Sequence, residues 1–253
     1  MLNLRNFINR GMAKAASLRV YDHRKLFMWH EINHLKRFVD EFEVDCIFDI
    51  GANRGQYASM LRKQVGFKGA IISFEPIDHA ANHIETIRQN DPDWSVEQIA
   101  VSNANGQKEF SIMAHEQFSS FSAPHKNQPN STKTANKTVK KISVTTETLE
   151  SAYLRHKKKL KFQRPFLKMD TQGHDATVVR SGASIIHEFV GLQSELSIAP
   201  LYETSMSFAD AIALYEELGF TLSAFTPNNA GHFPQLLETD CIMVNKTLLT
   251  SEL

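Results

Sequence analysis

A chain of 253 residues, 42% hydrophobic and 22% charged, has room for one large α/β domain with an appendage and a sizeable buried core. Its formal net charge of +0 and pI near 7.2 give no global field to attract nucleic acid, so no nucleic-acid partner is expected and any electrostatic steering is local. Two cysteines, Cys46 and Cys241, cannot build a disulfide framework or a cysteine zinc site, no stretch approaches the ~20 apolar residues that span a bilayer, and there is no apolar leader, so a cytoplasmic location is expected.

Residues 1–21 hold no acid but carry Arg5, Arg10, Lys14 and Arg19 among Leu2, Phe7, Ile8, Met12 and Leu18. Such a segment suits peripheral contact with an anionic membrane surface, packing over a sheet edge, or a transit peptide. A second helix, about 24–41, places Leu26, Phe27, Trp29, Ile32, Leu35, Phe38 and Val39 largely on one side, where they shield the fold and cover a ligand cleft. The two make an N-terminal helical extension, residues 1–43.

VDCIFDIGANRGQYASML, 44–61, then runs from an apolar β-branched stretch through a glycine-rich centre into helical spacing, and reads as strand, tight turn and helix. Gly51 and Gly55 leave room for a cofactor to approach the backbone, and the amides opening the helix face it. Asp49 ends the strand and can meet a cationic ligand. GAIISFEP, 69–76, is a second strand ending in Glu75, placed to take both hydroxyls of a ribose. Asn53 stands where a dinucleotide fingerprint has its second glycine, which makes a poor pyrophosphate site and favours an adenosine with an amino-acid tail.

Further along, a helix at about 78–90 leads to a strand at about 95–101, with Ser102 or Asn103 beyond it near an adenine. KEFSIM after Gly106 predicts a hairpin or edge extension. The polar, basic run 125–141 predicts a lid or loop shaping the acceptor pocket, and Thr145 or Thr146 caps the helix after it, which ends in the basic run 155–161. RPFLKMD, 164–170, is a fourth strand, GLQSELS, 191–197, a fifth, and SFADAIALYEELGF a helix closed by Gly219. TLSAF and ETDCIMVN supply two last strands. Alternating strands and helices require a mainly parallel sheet with helices on both faces.

DIGANRGQYA, FEP, AVSNANGQKEF, SSF and KMDTQGHD, in that order over roughly 44–246, resemble the FkbM-type methyltransferases. The resemblance implies a class I methyltransferase, Rossmann-like fold with a seven-stranded sheet over 44–253, whose last two strands finish it antiparallel. It also implies S-adenosyl-L-methionine as cofactor and a hydroxyl of a glycan or other small molecule as acceptor. Carried onto this chain, it assigns Asp49, Gly51, Asn53, Gly55, Tyr57, Glu75, Ser102 and Asp170 to the cofactor.

Four acids, Asp49, Glu75, Asp170 and Glu195, converge on the strands' carboxyl edge, where α/β sheets bind ligands. Asp170, His174 and Glu195 are the candidate catalytic bases, Asp170 and His174 lie close enough in sequence to share a proton, and the resemblance ranks Asp170 first. The same trio could serve a divalent metal, although no H-x-H or H-E-x-x-H spacing occurs and no metal is assigned. The rival readings are a nicotinamide-dependent oxidoreductase and a degenerate methyltransferase fold kept as a binding scaffold. The sequence does not fix an oligomeric state.

Overall fold

A computed structural model describes residues 27–227 and 234–249. The basic segment 1–21, with the membrane contact expected of it, lies outside the described residues, as does the first turn of the helix expected from residue 24. Among the described residues no helix is long and apolar enough to cross a membrane.

The chain opens on α1 (Met28–Glu41), then β1 (Cys46–Ile50), α2 (Gln56–Met60), β2 (Ala70–Phe74), α3 (Asp78–Ile87) and β3 (Trp94–Glu97). An inserted small sheet follows, β4 (Ala100–Val101), β5 (Gly106–Met113) and β6 (Thr138–Glu147). Next come α4 (Leu149–Leu160), β7 (Pro165–Met169), α5 (Asp175–Arg180), β8 (Gly191–Ser197), α6 (Phe208–Glu217), β9 (Phe220–Thr226) and β10 (Glu238–Asn245). The main sheet has seven strands in the order β3-β2-β1-β7-β8-β10-β9. Only β10 runs against the others, pairing antiparallel with β8 and β9. This is the class I methyltransferase arrangement expected from the sequence.

Strands buried on both faces read as continuous apolar runs, and β1 shows why. Cys46, Phe48 and Ile50 pack into one layer with α4, α5 and α6, through Tyr153, Val178 and Tyr215. Ile47 points the other way, into a layer with α1, α2 and α3, through Phe38, Met60 and Ile84. Helix α1 buries Ile32, Leu35 and Phe38 at helical spacing, and the Phe38 ring meets Phe166 of β7 edge-on at 5.2 Å. Helix α1 is thus anchored in the core against β7.

Three local expectations change. The single strand expected at 95–101 is two: β3 stays in the main sheet, while β4 leaves it to pair with β6. That pairing turns ISVTTE into strand, so the helix cap moves to Thr148, whose Oγ1 accepts the amide of Ser151 at 3.1 Å. The polar run 125–141 is no structureless lid. Its end belongs to β6, and Asn136, buried, donates to the carbonyl of Leu201 at 3.0 Å.

Candidate functional site

A cavity of about 390 Å³ opens where β1, β2, β7 and β8 end, a volume within the ~300–1,000 Å³ common for small-molecule sites. The turn after β1 supplies Gly51 and Asn53 to its wall, β2 supplies Glu75, and the turn after β7 supplies Asp170 and Gln172. Phe27, Met28 and Glu31 at the start of α1 close one side, and residues 116–119 with Phe121, between β5 and β6, close another. Residues 126–141, expected to shape the acceptor pocket, do not line it; the segment just before them does.

On the β2 side the fixing atoms are backbone. Glu75 Oε2 accepts the amide of Asn53 at 2.8 Å, and Oε1 accepts the amide of Ile77 at 2.8 Å. Asn53 holds a left-handed φ of 49° to deliver that amide, so it is turned to Glu75 and not toward a phosphate. Burial outweighs both amides and pushes the Glu75 carboxyl up to about 7. Gly51, at φ 78°, is required for a reason internal to the fold: a Cβ there would stand 2.0 Å from the carbonyl oxygen of Asp170. The two turns touch backbone to backbone, which brings Asp170 beside the first glycine. Gly55 lies away from the cavity wall, and a Cβ on it would press on the Trp94 ring at 3.0 Å.

Beneath the cavity a polar row crosses the sheet. Ser73, Asp49, Lys168 and Gln193 are register neighbours on β2, β1, β7 and β8. The Trp94 indole donates to Ser73 Oγ (3.0 Å), and Ser73 donates to Asp49 Oδ2 (3.1 Å). Lys168 Nζ lies 3.9 Å from Asp49 Oδ1, 3.3 Å from Asp170 Oδ2 and 5.3 Å over the Tyr57 ring. Burial opposes the charge on Lys168, but Asp170 and Asp49 outweigh it and hold the ammonium above its ordinary range. Asp49 is 0% exposed and is not part of the cavity wall. Expected to face a ligand, it instead supports Lys168, which does line the cavity.

The β7, β8 and β10 side is fixed by side chains, and two glutamines use the same device. Gln172 Nε2 donates to Asp170 Oδ1 (2.9 Å) and Glu195 Oε2 (2.9 Å), while its Oε1 accepts the Tyr202 hydroxyl (2.7 Å). Gln193 Nε2 donates to Glu31 Oε1 (2.8 Å) and Asp240 Oδ2 (3.0 Å), while its Oε1 accepts the Tyr57 hydroxyl (2.9 Å). Each amide thus spaces two carboxylates on the cavity wall. Burial raises the carboxyls of Glu31, Glu195 and Asp240, and raises Glu238 to about 7.

The sequence matches the family described as Methyltransferase FkbM domain over residues 49–222. The chain belongs to the FkbM methyltransferase family. It carries a methyltransferase domain, and S-adenosylmethionine is the methyl donor such a domain uses. No curated protein matches the chain. Among solved structures it is similar to an FkbM methyltransferase from Methylobacillus flagellatus KT, with 12% identity and a TM-score of 0.45. That match covers 79% of this chain but only 43% of the other, so this chain spans less than half its length. It is also similar to magnesium protoporphyrin IX methyltransferase from Synechocystis PCC 6803 (7% identity, 96% of each chain, TM-score 0.48). A SAM-dependent methyltransferase from Aquifex aeolicus is a third (12% identity, 88% of this chain and 94% of the other, TM-score 0.42).

Of the residues singled out from sequence, this FkbM domain gathers Gly51, Asn53, Tyr57, Glu75, Asp170 and Glu195 on the cavity wall. Ser102 and His174 it places elsewhere. Ser102, fully buried, sits with Oγ 3.0 Å from His174 Nε2 and 3.1 Å from Lys108 Nζ, and His174 packs on the Phe121 ring at 5.0 Å. Burial, then Lys108, lowers the imidazole to about 4 and leaves it neutral. Asp170 and His174 therefore share no proton: positive φ at Gln172 and Gly173 turns the chain so that His174 faces Ser102. The trio Asp170, His174 and Glu195 is no ligand set either, since no group of three such residues among the described residues could hold a metal.

Sequence reading missed Lys168, Gln172, Gln193, Glu31, Glu238 and Asp240. One signal was available: Gln193 and Glu195, like Glu238 and Asp240, stand two apart on a strand and so share a face.

Proposed function

We propose that the protein transfers a methyl group from S-adenosylmethionine to a hydroxyl of a saccharide or glycosylated metabolite, in the cytoplasm. The observation that carries this reading is the pairing of Glu75 on one cavity wall with the Asp170–Gln172–Glu195 cluster on the other. Glu75 spends one lone pair of each oxygen on a backbone amide, which fixes the carboxylate and leaves the others for the two ribose hydroxyls. The occupied Asn53 amide argues against a dinucleotide pyrophosphate, and the open cavity with its intact acids argues against a mere scaffold.

The bound donor supplies a methyl on a sulfonium whose positive charge disappears on transfer. The protein's part is alignment and exclusion of water. Holding the acceptor oxygen in line contributes up to ~7–11 kcal/mol, and the walls from α1 and from residues 116–121 narrow the access of solvent to the site. Asp170 takes the proton from the acceptor hydroxyl, a role worth ~10²- to 10⁴-fold, with Gln172 and Lys168 holding its oxygens. Glu195, whose carboxyl burial drives upward, orients the acceptor as a hydrogen-bond donor.

Calorimetry with S-adenosylmethionine and with NAD tests the donor. Binding of NAD with no response to S-adenosylmethionine ends the proposal. Mass spectrometry of glycans and metabolites from cells with and without the protein tests the acceptor; the expected result is a species heavier by one CH₂ whose methyl is an ether. A methyl on nitrogen or carbon would refute the hydroxyl assignment.

A further inference from the structure

We infer that Tyr202 is a positioning residue for methyl transfer: its hydroxyl sets the direction of the Gln172 amide, and that amide holds Asp170 as the acceptor of the substrate's proton. The inference rests on the methyltransferase reading above and on the role proposed there for Asp170.

Tyr202 follows β8, is 1% exposed and does not line the cavity. Its ring packs with Met113, Leu201 and Phe118, and lies against the turn after β7, where a Cβ on Gly173 would stand 3.0 Å from its Cδ2. The chain on either side is pinned. The carbonyl of Leu201 accepts the amide of His125 at 2.8 Å and Asn136 Nδ2 at 3.0 Å, and the amide of Glu203 donates to the carbonyl of Ala123 at 2.9 Å. The hydroxyl therefore arrives at one fixed point, 2.7 Å from Gln172 Oε1 and 2.9 Å from the carbonyl oxygen of Phe118.

A carboxamide keeps nearly the same shape when turned end for end, so Gln172 could present either Nε2 or Oε1 to Asp170. Only Nε2 suits a carboxylate that is to accept a proton; Oε1 would set one acceptor against another. What grips the far end decides between them. Tyr202 has a single proton to give and two acceptors in reach, of which Gln172 Oε1 is the nearer. Donation there holds Oε1 off the carboxylates and leaves Nε2 on Asp170 Oδ1 and Glu195 Oε2, each at 2.9 Å. Burial raises the phenol far above its ordinary range, so the hydroxyl keeps its proton at neutral pH.

The backbone of the turn does not depend on this contact. The carbonyl of Gln172 is held separately by Ser120 Oγ at 2.7 Å, and phenylalanine at 202 would keep the buried ring. The hydroxyl's own contribution is the direction of the amide.

The test is a double-mutant cycle on the full chain, with Tyr202→Phe, Gln172→Ala and the two combined. The probes are tritium-labelled S-adenosylmethionine and a metabolite extract of cells lacking the protein, with the initial rate of labelling read across dilutions of the extract. Tyr202→Phe should lower the rate at saturating extract about three- to ten-fold, with the half-saturating extract concentration and the dissociation constant of S-adenosylhomocysteine within about two-fold of the parent. The combined variant should be no slower than Gln172→Ala alone, because the hydroxyl acts through that amide. Rate losses that multiply in the combined variant overturn the inference, as does an unchanged rate in Tyr202→Phe. A rise in the half-saturating concentration with the rate held would give the hydroxyl to the wall at Phe118, and overturns it too.

A second measurement needs no turnover. In protein labelled with heavy nitrogen at glutamine, the side-chain amide hydrogens of Gln172, assigned by their absence in Gln172→Ala, should exchange with solvent at least about three-fold faster in Tyr202→Phe. Equal exchange overturns the inference whether or not the extract contains the acceptor. Failure of the unmodified protein to bind S-adenosylhomocysteine would strike the methyltransferase reading instead, a result that the exchange rates do not share.

Discussion

The two sides of the cavity are built by opposite means. Around Glu75 the carboxylate is fixed by backbone amides from residues within about two dozen positions of it in the chain, Asn53 and Ile77. Around Glu195 and Asp240 the carboxylates, with Glu31 of α1, are fixed by the side-chain amides of Gln172 in the turn after β7 and Gln193 on β8. Backbone anchoring gives a rigid, general seat for a ligand common to a family. A side-chain network can be rewritten residue by residue, which suits the part that must recognise one acceptor.

Lys168 ties β1 to the turn after β7 beneath the cavity, so removing it should give the largest effect. Lys168→Met strips the ammonium from between Asp49, 0% exposed, and Asp170. Losing one partner of a buried pair leaves uncompensated charge and typically costs about 3–5 kcal/mol. Thermal and urea unfolding should show destabilisation of that order, together with loss of activity in whatever protein remains folded. An unchanged melting temperature would mean that Asp49 is already neutral without Lys168.

Glu75→Ala tests the donor side alone. It deletes the ribose acceptor and frees the amides of Asn53 and Ile77, so affinity for S-adenosylmethionine should drop by about 100-fold or more, given about 1.5–3 kcal/mol for each hydrogen bond to a charged group. The protein should remain folded. Calorimetry that finds the donor binding as before would remove the ribose role.

The difference between the sides also explains what could be read from sequence. Glu75 and Gly51 announce themselves because a glycine turn and an acid at a strand end are local patterns, and seven strands could be counted from apolar runs. Even there the reason was partly hidden: Gly51 is needed because Asp170, far along the chain, approaches its Cα, which no local pattern states. The small sheet was misread because β4 is two residues long and its partner β6 lies in a stretch that looks polar, so pairing in space overrode local spacing. His174 was misassigned because its direction depends on two positive-φ residues just before it. The Gln193 network joins residues 31, 57 and 240, and no periodicity connects positions so far apart.

A pH series distinguishes the sides without mutation. The Glu75 carboxyl is raised from its ordinary value to about 7, so between those limits the folded state holds a proton the unfolded state has released. Stability from this group is therefore present at low pH and falls as pH rises through the window. Donor affinity moves the other way, because the ionised carboxylate is the stronger acceptor for ribose hydroxyls. Binding of S-adenosylmethionine should strengthen by roughly ten-fold from about pH 6 to about pH 8. Glu238 titrates in the same range, so the control is Glu75→Gln, in which that rise should flatten. A slope that persists in Glu75→Gln assigns the titration to the acceptor side.

The smallest effects should separate the two glutamines. Gln193→Ala releases Glu31 and Asp240 and leaves the Tyr57 hydroxyl without its acceptor, all on the face proposed to meet the substrate. Each such bond is worth about 0.5–1.5 kcal/mol, so the acceptor KM should rise about three- to ten-fold while kcat and donor affinity hold. Gln172→Ala releases Asp170 and Glu195, the groups proposed to act on the reacting hydroxyl, and should lower kcat by a similar factor with little change in KM. A binding loss at one glutamine and a rate loss at the other would show that the same amide device sets recognition in one place and alignment in the other. If both variants lowered only stability, the two glutamines would be struts of the sheet edge and the division of labour between them would be lost.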